Sequence, residues 1–409
     1  MPEIFQRVFP SGLTLLAEPI PSAQSLAMSL LAPGGVALEP ADKLGVAAML
    51  SEIVCRGAGS LDAKAHCDAL DQLGVHRSTG AGISRFRLGA TMIHSKLPKA
   101  LPLLIDMIRR PMLADAALEP SRDLALQALD SLEDEPQEKV FIELRRRHYP
   151  APFGRSTLGD RAHLESMTID DVRRFWSATM TPASSVIAFA GRFDWSELQD
   201  MVAEQLGDWK GATPEPAEAA APIRGHVHQN AESTQVHIGL AYDALPEPDE
   251  RSLLQRVASA VLSGGMSGRL FTEVREKRGL CYSVYATYAG QRERGAMLAY
   301  SGTTAPRAQE TLDVLTNELK RVCEGVAQDE FDRAIVGMKS RLVMQGESTT
   351  SRAAAVASDQ YTLGRPRTLE EQSKRVAAVT LADLNAFLAA NKPGPMTVVT
   401  VGPAALKVG

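Results

Sequence analysis

The stretch TIDDVRRFWSATMTPASSVIAFAG, residues 168–191, is answered near the other end of the chain by TLADLNAFLAANKPGPMTVVTVG, residues 380–402. Each reads as a threonine N-cap, an amphipathic helix carrying Phe175 or Phe387, a proline, and a β-branched strand closed by glycine. A second pair keeps the same order: SLAMSLLAPGGVALEPADKLGVAAMLSEIVCRGAG (25–59) and QVHIGLAYDALPEPDERSLLQRVASAVLSGGMSG (235–268). Both predict a strand, a proline-bearing loop, a helix and a glycine-rich stop. Two matches in one order point to a tandem duplication.

Between the copies lies GATPEPAEAAAPIRG (211–225), rich in Pro, Ala and Glu and without periodicity, which reads as a linker. The expected organisation is an N-terminal lobe over 1–210 and a C-terminal lobe over 226–409. A chain of 409 residues is long enough for two cores. In the first half GLTLLAE and SLAMSLLA read as strands, followed by helices near 42–56 and 62–73, a strand near 83–93, and helices near 97–109 and 117–133. The second half repeats that order. The predicted fold class is α+β: two homologous lobes, each a mixed β-sheet packed with α-helices.

Composition narrows the function classes. With 44% hydrophobic and 23% charged residues the chain reads as globular, and its net charge of −5 gives no general attraction to phosphate backbones or anionic lipids. The short run RRRH (145–148) reads as a basic helix end that complements the helix dipole. No nucleic-acid partner is expected. No window reaches the ~18 apolar residues of a membrane helix, so no membrane insertion is expected either. Cys55, Cys67, Cys281 and Cys323 are widely spaced and read as unpaired. Residues 1–30 lack a basic segment followed by a continuous apolar one, so the chain as written is expected in the cytoplasm; a leader trimmed ahead of Met1 would make it periplasmic.

Residues 45–59, GVAAMLSEIVCRGAG, read as a helix that stops at the glycines Gly57 and Gly59; its positions 48, 51 and 52 share one face, where a pair four residues apart grips a metal in other proteins. Here those positions are Ala48, Ser51 and Glu52, which offer no such pair. Among the histidines, His226 and His228 lie two apart with no third ligand in view and read as surface at the end of the linker. His66 and His237 read as structural.

The order of elements and several motifs resemble the pitrilysin, insulysin and mitochondrial processing peptidase family of zinc metallopeptidases, whose metal motif is H-x-x-E-H. The strongest segment is SGGMSGRLFTEVREKRGLCYSVYATY (263–288), supported by FPSGLTLLAE, PLLIDMIRRPML (102–113), EDEPQEKVF (133–141) and YPAPFGRSTLGD (149–160). In the register set by Gly45 and Gly57, the resemblance puts Ala48 at the first histidine, Ser51 at the glutamate base and Glu52 at the second histidine. The third ligand falls at Gln127 or Ala128. Zinc catalysis needs three protein ligands plus an activated water, so the resemblance implies a chain that holds no metal and is inactive alone.

The second half departs from that pattern of loss. The family's arginine and, seven residues on, tyrosine that serve the zinc site match Arg275 and Tyr282. A phenol keeps its proton at neutral pH and donates to an oxyanion, while arginine anchors substrate carbonyls or holds the phenol. The resemblance therefore implies a non-catalytic subunit of a heterodimeric zinc peptidase acting on peptides. The partner would carry H-x-x-E-H and the zinc, and a homodimer of this chain alone is compatible with that reading. The alternative is an inert structural or peptide-binding homologue.

Overall fold

The computed structural model describes residues 3–212, 215–216 and 220–408, so part of the expected linker lies outside the described residues. Eleven strands form the two large sheets: β1 Phe5–Val8, β2 Thr14–Pro19, β3 Ser25–Ala32, β4 His76–Ala81, β5 Phe86–Ile93, β6 Val186–Gly191, β7 His226–Asn230, β8 Gln235–Ala244, β9 Cys281–Gly290, β10 Gly295–Thr304 and β11 Thr397–Gly402. Five helices matter most here: α1 Val46–Ile53, α2 Leu118–Ser131, α3 Pro136–His148, α4 Ile169–Thr179 and α5 Thr349–Leu363.

The chain divides into two compact units, each built on one sheet. The first sheet runs β1-β2-β6-β3-β5-β4 and is mixed, because β2 and β6 are parallel while their other neighbours are antiparallel. The second runs β9-β10-β8-β11-β7, with β11 and β7 as its parallel pair. The paired stretches that signalled duplication supply corresponding parts. Thr168 and Thr380 cap their helices by accepting from the amides of Asp171 and Asp383. The strands that follow, β6 and β11, each hold a parallel partner.

Central strands of the first unit are apolar on both faces, the pattern of a sheet covered on both sides. In β3, Leu26, Met28 and Leu30 enter the main core with Phe189 of β6, Met49 and Leu50 of α1, and Phe175 of α4. The other faces of β2, β3 and β6, bearing Leu16, Leu31, Val186 and Ala188, pack under Val356 and Ala357 of α5. Ala27 and Ala190 meet Ala353 of α5, so small side chains let the helix lie close to the sheet.

Helix α5 comes from the second half of the sequence, and the reverse holds in the second unit. There α3, from the first half, covers the sheet: Val140 fits over Gly239, where an added Cβ would come within 2.4 Å of it. Phe141 stacks against Tyr285 and lies tilted against Tyr300. Residues 132–150 thus belong to the second unit and 345–368 to the first. A cut at 211–225 assigns each sheet to its half but misplaces these two helices. Propensity and periodicity locate a helix without naming the sheet it will cover.

Candidate functional site

Helix α1 is held at its N-terminus by a buried carboxylate. Glu39 Oε1 accepts from the amides of Gly45 (3.0 Å) and Ala47 (2.9 Å), and Arg155 Nη1 donates to the carbonyls of Val36 (3.2 Å) and Glu39 (2.6 Å). Burial pushes the Glu39 carboxyl up to about 7, against the opposing pull of those two amides and of Arg155. Gly45 has φ +105° and lies against Gly159, where a Cβ would stand 2.4 Å from the Gly45 Cα. Both positions therefore require glycine.

Val46, Met49, Leu50 and Ile53 turn the apolar face of α1 into the core, leaving Ala48, Ser51 and Glu52 half-buried on another face. Ser51 Oγ donates to the Ala48 carbonyl at 2.8 Å, and Glu52 pairs with Arg56 at 3.1 Å. Thr79 of β4 donates to the Ser51 carbonyl at 2.8 Å, tying α1 to the sheet edge. Helix α2 packs on α1, and its Gln127 and Ala128 are exposed. A methyl group, a hydroxyl spent on the backbone, a carboxylate in an ion pair, and an amide or second methyl group do not fit zinc. Among the described residues no group of three or more His, Cys, Asp or Glu side chains is arranged to hold a metal ion.

The second unit carries Arg275 and Tyr282. Arg275 sits in a π-helical turn, Phe271–Glu276, and Tyr282 occupies a bulge in edge strand β9, between Cys281 opposite Thr303 and Ser283 opposite Gly302. π-turns and β-bulges both redirect side chains and are frequent at functional sites. The extra residue is turned outward, leaving Tyr282 84% exposed and far from a core position. Arg275 Nη1 donates to the Tyr282 carbonyl at 2.7 Å. Its guanidinium lies 4.8 Å from the centre of the Phe271 ring and 5.0 Å from that of Tyr282.

The connection between Arg275 and Tyr282 is braced. The Gly279 amide donates to the Arg275 carbonyl, and that of Leu280 to the Val274 carbonyl. Glu273 binds Lys277 (2.7 Å) and Arg278 (2.9 Å), which together hold its carboxyl down at about 2. Burial raises the neighbouring Cys281 thiol. Neither Phe271 nor Glu273 stands out from the sequence alone, although Phe271 stands four positions before Arg275, a helical spacing.

His66, His226, His228 and His237 take structural places. His226 and His228 share one face of β7, and both ring systems turn to the hydroxyl of Thr400, at 3.5 and 3.0 Å. His66 is buried on the Leu103 carbonyl, and buried His237 bonds the Tyr300 hydroxyl. All four cysteines are free thiols.

Comparisons with known proteins agree with this architecture. An uncharacterized zinc protease of Streptomyces coelicolor is 27% identical over 92% of this chain and 84% of its own length. The uncharacterized zinc protease YmxG of Bacillus subtilis is 26% identical over 92% of both. Among solved structures, a peptidase M16 inactive domain from Pseudomonas fluorescens shares the fold over the full length of both chains, with a TM-score of 0.88 at 22% identity. A chain of complex III2 from Candida albicans does so with a TM-score of 0.83 at 16% identity, over 98% of this chain and 96% of that one. The family profile described as "Insulinase (Peptidase family M16)" matches residues 14–161, and that described as "Peptidase M16 inactive domain" matches residues 166–338. Spanning both halves of the duplication between them, these profiles show that the chain belongs to the insulinase family of peptidases, family M16.

Proposed function

We propose that this chain is the non-catalytic subunit of a two-subunit zinc peptidase, supplying Arg275 and Tyr282 to a partner that carries H-x-x-E-H and the zinc. The observation that carries this reading is the contrast between the two units. The α1 face offers Ala48, Ser51 and Glu52, whereas Tyr282 is turned out to solvent and bonded to Arg275 through its main chain. A large aromatic side chain exposed on a bulge gains little for folding and suits contact with another molecule. When water adds to a peptide carbonyl in the partner's site, the Tyr282 hydroxyl would donate to the oxygen that gains charge. Zinc names among the relatives and the inactive-domain profile of the second half support the reading at the level of the family.

Mixing this chain with an H-x-x-E-H homologue from the same source tests it directly. A stable complex should hydrolyse peptides that neither chain cleaves alone. Tyr282→Phe should lower turnover by about 10²–10³ while leaving assembly and zinc content unchanged. Near-wild-type turnover in that variant would overturn the reading.

The shared fold with a chain of complex III2 favours a second reading, a structural homologue without a catalytic partner. That reading expects Arg275 and Tyr282 substitutions to be harmless to every activity of the complex in which the chain is found.

A further inference from the structure

We propose that Phe271 is a positioning residue which, through Arg275, fixes the direction of the Tyr282 phenol; this rests on the reading of Tyr282 as an oxyanion donor. The Arg275 guanidinium contacts two aromatic rings, 4.8 Å from the Phe271 centre and 5.0 Å from the Tyr282 centre, while its Nη1 holds the Tyr282 carbonyl at 2.7 Å. One cation therefore grips both the main chain and the ring of the bulged residue. Phe271 supplies the second aromatic contact of that cation.

Each part has a physical reason. A planar guanidinium stacks on an aromatic ring and still donates in its own plane, which an ammonium cannot do. The π-turn sets the relation between Phe271 and Arg275: the Lys277 amide bonds the Thr272 carbonyl five residues back, widening the turn that carries them. The bulge at Tyr282 removes its ring from the sheet and from the packing that fixes strand side chains. A phenol exposed in that way would sample its rotamers freely, and a donor that must meet a developing charge loses rate when it is misplaced. The Phe271–Arg275 stack restores the order that the bulge gave up.

Arg275 is thereby assigned to Tyr282 rather than to substrate. Substrate anchoring by Arg275 predicts a raised KM and a kcat preserved on its loss, whereas positioning predicts the reverse. Phe271, which contacts the same guanidinium, should share the Arg275 signature.

The first arm of the test uses the isolated full-length chain, with tyrosine ring carbons labelled and the Tyr282 signal assigned by its absence in Tyr282→Phe. Phe271→Leu should shift that signal toward the position of an unrestrained tyrosine, Arg275→Lys should do the same, and Phe271→Tyr should retain it. An unchanged signal in both Phe271→Leu and Arg275→Lys overturns the clamp, whatever the complex does. The second arm uses the complex with the H-x-x-E-H partner. Phe271→Leu should lower kcat by roughly tenfold to a hundredfold with KM little changed, and Phe271→Tyr should restore it. In the Tyr282→Phe background the same substitution should cost nothing further. An equal loss in that background overturns positioning of the phenol. A complex that never cleaves peptide refutes the proposed function, and the labelled signal still decides the clamp.

Discussion

Arg352 Nε donates to Glu18 Oε2 at 2.8 Å, joining helix α5 to strand β2 across 334 residues of sequence, with both side chains buried. The pair fixes the register in which a helix from the second half of the chain lies on the first unit's sheet. Around it, Thr349 meets Ser25 at 3.2 Å and Thr350 meets Thr91 at 2.8 Å, so polar contacts line one end of an otherwise apolar interface.

Breaking that pair from one side should be costly. Arg352→Ala leaves the Glu18 carboxylate buried without its partner and should destabilise the chain by about 3–5 kcal/mol. The double replacement Glu18→Leu with Arg352→Met removes both charges and keeps the volume, and should recover most of that loss. Denaturant titration of the two variants beside wild type checks the ordering; equal destabilisation would show that the helix is held by its apolar face alone.

The same topology bears on fragments. A fragment spanning residues 1–212 contains the first sheet but not α5, leaving Leu16, Leu31, Val186 and Ala188 uncovered. Expressed alone it should be aggregation-prone and bind a hydrophobic dye, because an apolar sheet face of that kind is stable only when covered. Adding the fragment 226–409 should restore solubility, since it carries residues 345–368. Size-exclusion profiles of each fragment and of the mixture measure this.

Much of the fold was legible because its signals are local. Threonine caps, apolar periodicity and the strands after each proline appear in sequence at the positions where Thr168, Thr380, β6 and β11 stand. Strand β4, HRSTGA, escaped because it is polar and contains glycine; it is an edge strand defined by pairing with β5 rather than by burial. The exchange of α3 and α5 escaped for a different reason. Nothing in a helix's own residues says which of two similar sheets it will cover. At the candidate site, residue identities showed which ligands are missing, but the outward bulge at Tyr282 and the stack of Phe271 on Arg275 required backbone geometry.

Stability should also depend on pH through Glu39. Its carboxyl rises from an ordinary 4.5 to about 7 on folding, so the folded state binds the proton more tightly than the unfolded one. The resulting stabilisation is complete below about pH 4.5 and is lost as pH rises through 7, a change of roughly 3 kcal/mol. Asp171 and Glu273, both held near 2, act in the opposite sense and in a lower window: their contributions are present above pH 4 to 5 and are lost as pH falls toward 2. Glu39→Gln should therefore flatten the stability profile between pH 4.5 and 7 without altering its acid limb. Unfolding free energies at half-unit intervals in both proteins measure the difference, and parallel profiles would show that Glu39 does not titrate there.

The metal question admits a constructive test. Wild-type chain dialysed against trace zinc should retain none in stoichiometric amount, because Ala48 has no donor atom, the Ser51 hydroxyl is bonded to the backbone and Glu52 is paired with Arg56. Ala48→His, Ser51→Glu and Glu52→His, combined with Gln127→Glu or Ala128→Glu, rebuild three ligands and a base on helices α1 and α2, which already pack together. Glu52→His also releases Arg56, and an arginine left beside a new cation opposes its binding; adding Arg56→Ala should raise the affinity of the rebuilt site. Only one of the two α2 variants is expected to work, since adjacent helical residues point about 100° apart and a ligand must meet the metal near 2.0–2.2 Å. Metal analysis after gel filtration decides the matter. One tightly held zinc in the wild-type chain would refute the register that sets Ala48, Ser51 and Glu52 in place of the motif. Zinc gained with Gln127→Glu or with Ala128→Glu would identify the position on α2 that can complete a site with α1.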